Sequence, residues 1–304
     1  MSSPPDPDDD LPIRYIERTH RWYAAQGYEA PYRYAQHEAV PFAPLGRRLA
    51  EARVALLTTA APYRPGLGDQ GPGAPYNAAA KFYEVYSGDS AVDHDLRVSH
   101  VAVDQAHLSD DANCWFPLPA LRRAAARGRI GGLTARFHGV PTNRSQRHTV
   151  EADAPEVLRR CREDGADAAI LVANCPVCHQ TMGLMARALE AAGVATVVMG
   201  AARDIVELCG VPRFLFSDVP LGNAAGLPGD VASQDQTLEL ALGLLEGAIG
   251  PRTTLRSALV WPTPGWRRDY MNLAALSPEE IARLRLENDQ AKVVAQGVRD
   301  AADQ

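Results

Sequence analysis

Apolar residues recur at helical spacing over residues 11–27, around Tyr15, Ile16, Trp22 and Tyr23 with Thr19 among them, and this predicts a helix ended by Gly27. The next apolar stretch is continuous. Residues 53–59, "RVALLTT", read as a buried strand, and 96–103, "LRVSHVAV", as a second. Between them lies the Pro/Gly-rich segment 62–75, a long loop of the kind that serves as a lid or stays disordered. A short helix over 118–127 is closed by Gly128.

The pattern is sharper in the second half. Residues 167–173, "DAAILVA", form an apolar run of strand length; 177–192 follow with helical spacing up to Gly193; and 195–199, "ATVVM", make the next strand. Such a strand–helix–strand unit, extended by a strand near 213–217 and a helix over 232–248, predicts a doubly wound α/β fold: a mostly parallel sheet with helices on both faces. Ser277-Pro278-Glu279-Glu280 is a capping box with Pro at the first helical position. Leu276 and Ile281 are placed to form its hydrophobic staple, so a charged helix over 278–302 closes the chain, on the surface or against another subunit. Four segments result: a disordered acidic tail (1–10), an N-terminal helix with a first α/β half (11–150), a second α/β half (151–250) and a C-terminal helical extension (251–304).

Composition changes this picture little. A chain of 304 residues, 46% hydrophobic, supports one large or two modest domains. The net charge of −6 and the scattered basic residues argue against a nucleic-acid partner. No signal peptide opens the sequence and no apolar run is long enough to span a bilayer, so a cytoplasmic, non-membrane protein is expected. In that compartment five cysteines do not form a disulfide framework, and a close pair is there for catalysis or metal.

That pair is Cys175-Pro176-Val177-Cys178, followed by His179, and it fits a redox dithiol, a metal site or a c-type haem box. The haem reading needs export, for which there is no signal. With the strand ending near Asn174, Cys175 falls at the helix N-cap and Cys178 at its third position. Backbone N–H groups and the helix dipole acidify both thiols there, at the strand end where open α/β sheets bind ligands. Cys175, Cys178 and His179 would alternatively supply three metal ligands, although no second Cys-x-x-Cys completes a structural zinc site; Cys114, Cys161 and Cys209 are isolated. Met182, Met185 and Leu189 share one helix face and read as core. Cys209 sits at a helix C-terminus, where the dipole disfavours a thiolate. A second cluster, "HVAVDQAHLSDDANC", holds His100, Asp104, His107, Asp110, Asp111, Asn113 and Cys114, the residue types of a metal or acid/base site and equally of a polar loop. A turn-rich loop carries Asp218, Gly222 and Asn223.

The stretch "GADAAILVANCPVCHQTMGLMARALEAAGVATVVM" with the later "PLGN" resembles the selenoprotein B component family of glycine, sarcosine and betaine reductases and D-proline reductase; "RVALLTTA", "VSHVAVD" and "NCWFPLPALRRAAARGRIGGL" share the resemblance, which spans about residues 40–245. It implies reductive cleavage of a carbon–heteroatom bond in a small amino-acid-like substrate. Cys175 and Cys178 would form the redox centre, with Cys175 the nucleophile, and His179, His100, Asp104 and Cys114 would be further catalytic groups. Asn113, Thr181, Gly222 and Asn223 would bind substrate. The chain departs from the family in having no selenocysteine.

Two other classes compete. "LEAAGVATV" after a strand-borne cysteine also resembles the aspartate/glutamate racemase and arylmalonate decarboxylase superfamily, with Cys114 as second thiol, but proton transfer leaves one cysteine of the pair idle. The other is a metal- or ligand-binding sensor using Cys175, Cys178 and His179. Expected partners are a small-molecule substrate, a thiol reductant of the thioredoxin kind and further copies of the chain. No cofactor is implied beyond the alternative metal ion.

Overall fold

The computed structural model describes residues 11–28 and 30–302; the acidic tail expected over 1–10 lies outside them. In chain order the elements begin with α1 (Tyr15–Ala25), β1 (Arg53–Thr58), β2 (Ala61–Pro62), β3 (Tyr86–Asp89), β4 (Leu96–Arg97), α2 (Leu118–Ala126), β5 (Gly132–Leu133) and β6 (Arg136–Gly139). Next, α3 (Gln146–His148) runs through a π-wound turn (Thr149–Asp153) into α4 (Ala154–Glu163). The second half comprises β7 (Ala168–Val172), α5 (Pro176–Ala191), β8 (Ala195–Gly200), α6 (Arg203–Cys209), β9 (Arg213–Phe216), α7 (Val231–Gly247), β10 (Thr253–Arg256), α8 (Trp266–Asp269) and α9 (Pro278–Ala302).

One sheet takes strands from both halves of the chain in the order β10-β9-β8-β7-β1-β6-β3, with the short β5 also paired to β1. Every pairing is parallel except that of β3 at the edge. All residues of β7 and β8 are buried, so both faces are covered at the centre, as a parallel sheet requires. The chain goes from β1 to β6 on one side, then crosses back to β7 on the other and works outward through β8, β9 and β10. Winding therefore reverses between β1 and β7. A crevice opens at such a reversal, at the carboxyl ends of the strands, and these are the ends that lead into Thr59 and Cys175.

Most predicted elements are present within a residue or two, and the capping box forms both its bonds, Ser277 N–H to Glu280 Oε2 at 2.8 Å and Glu280 N–H to Ser277 Oγ at 3.2 Å. The strand expected over 96–103 is a correction. Only Leu96 and Arg97 pair, with β2 in a separate two-stranded ribbon, and the rest is loop. Leu96, Val98, His100 and Val103 are buried because this loop packs inward within the excursion from β1 to β6, so its alternation mimics a strand without ladder partners. The Pro/Gly-rich loop is tied down by Gln70, which accepts from Arg64 N–H at 3.0 Å and donates to Arg64 C=O at 2.7 Å. Among the described residues no helix is long and apolar enough to cross a membrane.

Candidate active site

Cys175 caps α5 in extended conformation, and its sulfur accepts the backbone N–H of Cys178 at 3.2 Å. Pro176 follows at the first helical position, where its missing N–H costs nothing. Asn174 Nδ2 donates to Thr59 Oγ1 at 3.1 Å, joining the loops after β7 and β1 across the reversal point. The loop from the first half adds His100, whose Nδ1 lies 3.7 Å from Cys178 Sγ and 3.2 Å from Thr142 Oγ1; that hydroxyl is itself 3.9 Å from the sulfur. Both sulfurs and a His100 ring nitrogen lie within 4.8 Å of one another, and both cysteines are free thiols.

The two thiols are pushed in opposite directions. Burial raises Cys175, and donation of its proton toward Cys178 raises it further, to well above the ordinary thiol range. Burial opposes ionisation of Cys178 as well, but the Cys175 thiol, His100 and the Thr59 hydroxyl outweigh it and hold Cys178 well below that range. The two shifts favour a proton on Cys175 and negative charge on the inner sulfur.

Cys175 and His100 form part of the wall of a cavity of about 790 Å³. Cys178 lies behind that wall. The rest is built by α1 and the segment after it, by the excursion between β1 and β6, by the loop after β6, by the first turn of α5 and by one face of α9, so the C-terminal helix, read from sequence as surface or subunit packing, encloses the site. Tyr23, Tyr28, Tyr32, Tyr34 and Tyr76 line it, with Lys81, Arg144, Lys292 and Arg299. Tyr32 is tied to the dithiol helix by Gln180, whose Nε2 donates to the phenol oxygen at 2.6 Å. Nothing in the sequence pattern separates these aromatics from core residues.

Other predicted site residues sit elsewhere. The ring of His179 faces away from the thiols: Nδ1 donates to Cys175 C=O at 2.7 Å, and Nε2 accepts the N–H groups of Ala201 and Ala202 at 2.8 and 3.0 Å. Both nitrogens are therefore engaged, and the three ligand atoms that converge belong to His100, Cys175 and Cys178, a set that could hold a metal. Gly200 leaves room for the His179 ring, since a Cβ there would lie 2.6 Å from it. Asp104 accepts from His107 at 3.1 Å; Asn113 donates to Asp111 at 2.7 Å; and Asn223 bridges Ser109 N–H and His107 C=O at 3.1 and 3.0 Å, holding the loop after β9 against the loop that bears His100. Gly222 has a φ of +92° in that turn. Asp218 receives Arg256 and Arg267 at 2.7 and 2.8 Å. Cys114 is buried and pushed up to about 12 by that burial, and neither it nor Thr181 is part of the cavity wall. Cys209, at the end of α6, is likewise raised by burial to about 12.

Burial depresses His179 to about 4 from an ordinary value of 6.5, so between those two pH values the unfolded chain binds the proton that the folded one refuses. Stability should fall by up to about 3 kcal/mol as the pH drops through that window. Urea midpoints followed from pH 7 to 4 should give a shallower loss in His179→Asn than in wild type. His138, also depressed to about 4, contributes with the same sign in both proteins.

Comparison with known proteins adds the following. The family model for glycine/sarcosine/betaine reductase selenoprotein B matches residues 16–174, ending one residue short of Cys175. The D-proline reductase subunit gamma of Acetoanaerobium sticklandii is 31% identical over 193 residues, 63% of this chain and 77% of that protein. The glycine reductase complex component B subunit gamma of Symbiobacterium thermophilum is 27% identical over 243 residues, 75% of this chain and 53% of its own length. For the sarcosine reductase complex component B subunit beta of Peptoclostridium acidaminophilum the identity is 26%, over 65% of this chain and 46% of the relative. The chain thus spans about half the length of the glycine and sarcosine reductase relatives. No solved structure gives a significant match.

Proposed function

Because the chain belongs to the glycine/sarcosine/betaine reductase selenoprotein B family, its dithiol is best read within reductive chemistry, and we propose that it is the thiol subunit of an enzyme that cleaves a carbon–heteroatom bond in a small amino-acid-derived substrate. The observation that carries this reading is the placement of one cysteine sulfur in the cavity wall, a second sulfur behind it and an imidazole against that second sulfur, all within 4.8 Å.

In this reading Cys175 is the nucleophile, and Cys178 with His100 is its base. As substrate enters, the Cys175 proton passes to the inner pair. The Cys175 thiolate attacks the carbon bearing the heteroatom, and the leaving group departs with that proton. The Cys178 thiolate then attacks the Cys175 sulfur; the carbon–sulfur electrons return to carbon, next to its electron-withdrawing group, and take up a proton from water. The balance is R–X plus one thiol, one thiolate and one proton from solvent giving R–H, H–X and a disulfide. An external dithiol resets the centre, which is the place for a thioredoxin-like partner or another subunit of a reductase complex.

Mild oxidation of the native protein should therefore lower the thiols titratable after denaturation from five to three, with the bridge mapped to Cys175 and Cys178. Five thiols remaining, or a bridge elsewhere, would sink the redox reading. The convergence of His100, Cys175 and Cys178 favours one competing reading, a thiophilic metal site open toward the cavity. Zinc at one equivalent per chain in purified protein, lost in His100→Ala as well as in both cysteine variants, would establish that alternative.

A further inference from the structure

Among the described residues the cavity wall contains no aspartate or glutamate, although the whole chain carries a net charge of −6. Five long cations line it. Arg21 is neutralised by Glu17 and Lys292 by Asp289, whereas Lys81, Arg144 and Arg299 have no carboxylate partner among the described residues. Burial lowers Lys81 to about 8, as expected of an ammonium group enclosed without a counter-ion.

Arg144 is the most pointed of the three. Its guanidinium carbon lies 5.6 Å from the centre of the Tyr23 ring and 5.3 Å from that of Tyr32, so two aromatic faces fix a planar fork at the cavity edge. Its backbone has a φ of +54°, a left-handed conformation that a residue with a Cβ adopts only against strain. Two further groups in the wall lack partners: His100, only 9% exposed, has a buried Nε2 with none, and so has Asn143 Oδ1, next to Arg144. An unpartnered imidazole nitrogen, an unpartnered amide oxygen and an uncompensated arginine around one cavity call for a ligand bearing an anionic end and a neutral hydrogen-bonding end.

We infer that the occupant of this cavity is a carboxylate with no charged amine, and that Arg144 is the residue that binds its carboxylate. The inference rests on the reading of this cavity as the substrate site and narrows the substrate class. A zwitterionic amino acid would bring an ammonium group into a cationic cavity in which no described residue offers a carboxylate to receive it. An amine that is acylated, converted to an imine or absent removes that repulsion. The aromatic walls are compatible with a neutral body of modest size.

Three five-membered rings of the same size separate the charge states: cyclopentanecarboxylate, proline and pyrrolidine. Calorimetric titration of the full chain should give saturable binding of cyclopentanecarboxylate, binding of proline at least about tenfold weaker, and no binding of the pyrrolidine cation. Arg144→Gln should weaken the carboxylate about tenfold or more, and Arg144→Lys, which keeps the charge but not the fork, should fall between. Thermal unfolding of both variants checks that the loop still folds. Absence of saturable carboxylate binding, equal or tighter binding of proline or pyrrolidine, or an unchanged affinity in Arg144→Gln overturns the inference. Carboxylate binding and the thiol count after mild oxidation are read separately on the wild-type protein. Failure of the thiol chemistry would thus leave anion selection standing, and failure of anion selection would leave the dithiol reading intact.

Discussion

Cys178→Ser is expected to lower the rate at which iodoacetamide modifies the protein at pH 7 by about tenfold, although Cys178 is not the residue modified. Cys175 is the sulfur in the cavity wall, and the reagent reaches it first. In wild type the negative charge of the pair reaches Cys175 whenever its proton shifts onto the inner sulfur; without Cys178 no such charge is present at neutral pH, and burial alone still holds the thiol above the ordinary range. A lone thiol titrating near 9 or higher is ionised to roughly one part in a hundred at pH 7. The variant should recover its reactivity only at alkaline pH. Cys175→Ser should lose cavity alkylation at every pH while retaining the inner thiolate, and any reductive turnover should fall by about 10³ or more in both. Mass mapping of the alkylated peptide against pH decides the matter. A Cys178→Ser protein that reacts at the wild-type rate at pH 7 would remove Cys178 from the role of base.

The part of this centre legible in the sequence is the part made by neighbours along the chain. An apolar run, a cysteine at the N-cap and proline at the first helical position specify β7 and α5 and put two sulfurs at one helix end whatever the rest of the fold does. His100 was visible only as a member of a polar cluster, because the sulfur it faces is 78 residues away and nothing local names it. Adjacent His179 looked like the better partner in sequence. One helical step turns its ring toward Ala201 and Ala202 instead. The strand β6, only four residues long and containing Arg136 and His138, carries no alternation to read, and the loop after it delivers Thr142, Asn143 and Arg144. Helix α4 escaped because its buried stripe is only Ala154, Val157 and Cys161 among arginines and glutamates. The cavity is tertiary throughout: its tyrosines come from α1, from the segment after it and from the long excursion between β1 and β6, and α9 contributes its inner face from the far end of the chain.

A buried ion pair behind the dithiol helix carries the largest stability effect expected of a single substitution. Glu190, near the C-terminal end of α5, and Arg213, at the start of β9, meet at 2.7 Å with both side chains fully buried. Glu190 also accepts from Thr196 Oγ1 at 2.8 Å and from the N–H groups of Ala43 and Thr196, and Arg213 donates to Ala43 C=O at 2.8 Å while lying 4.3 Å from the centre of the Phe42 ring. Removing the arginine alone leaves an uncompensated carboxylate with no access to water. Arg213→Met should therefore destabilise the protein by about 3–5 kcal/mol, a fall of roughly 10 °C in Tm. Glu190→Gln combined with Arg213→Met removes the stranded charge while keeping an acceptor for the two backbone N–H groups, and should recover about half of the loss. Glu190→Leu with Arg213→Met should recover less, because it leaves those buried N–H groups without a partner. Urea unfolding of the single and double variants provides the cycle. A single variant within about 1 kcal/mol of wild type would mean that water or a rearranged neighbour compensates the carboxylate, and the pair would then not be what clamps α5 to β8 and β9 behind the thiols.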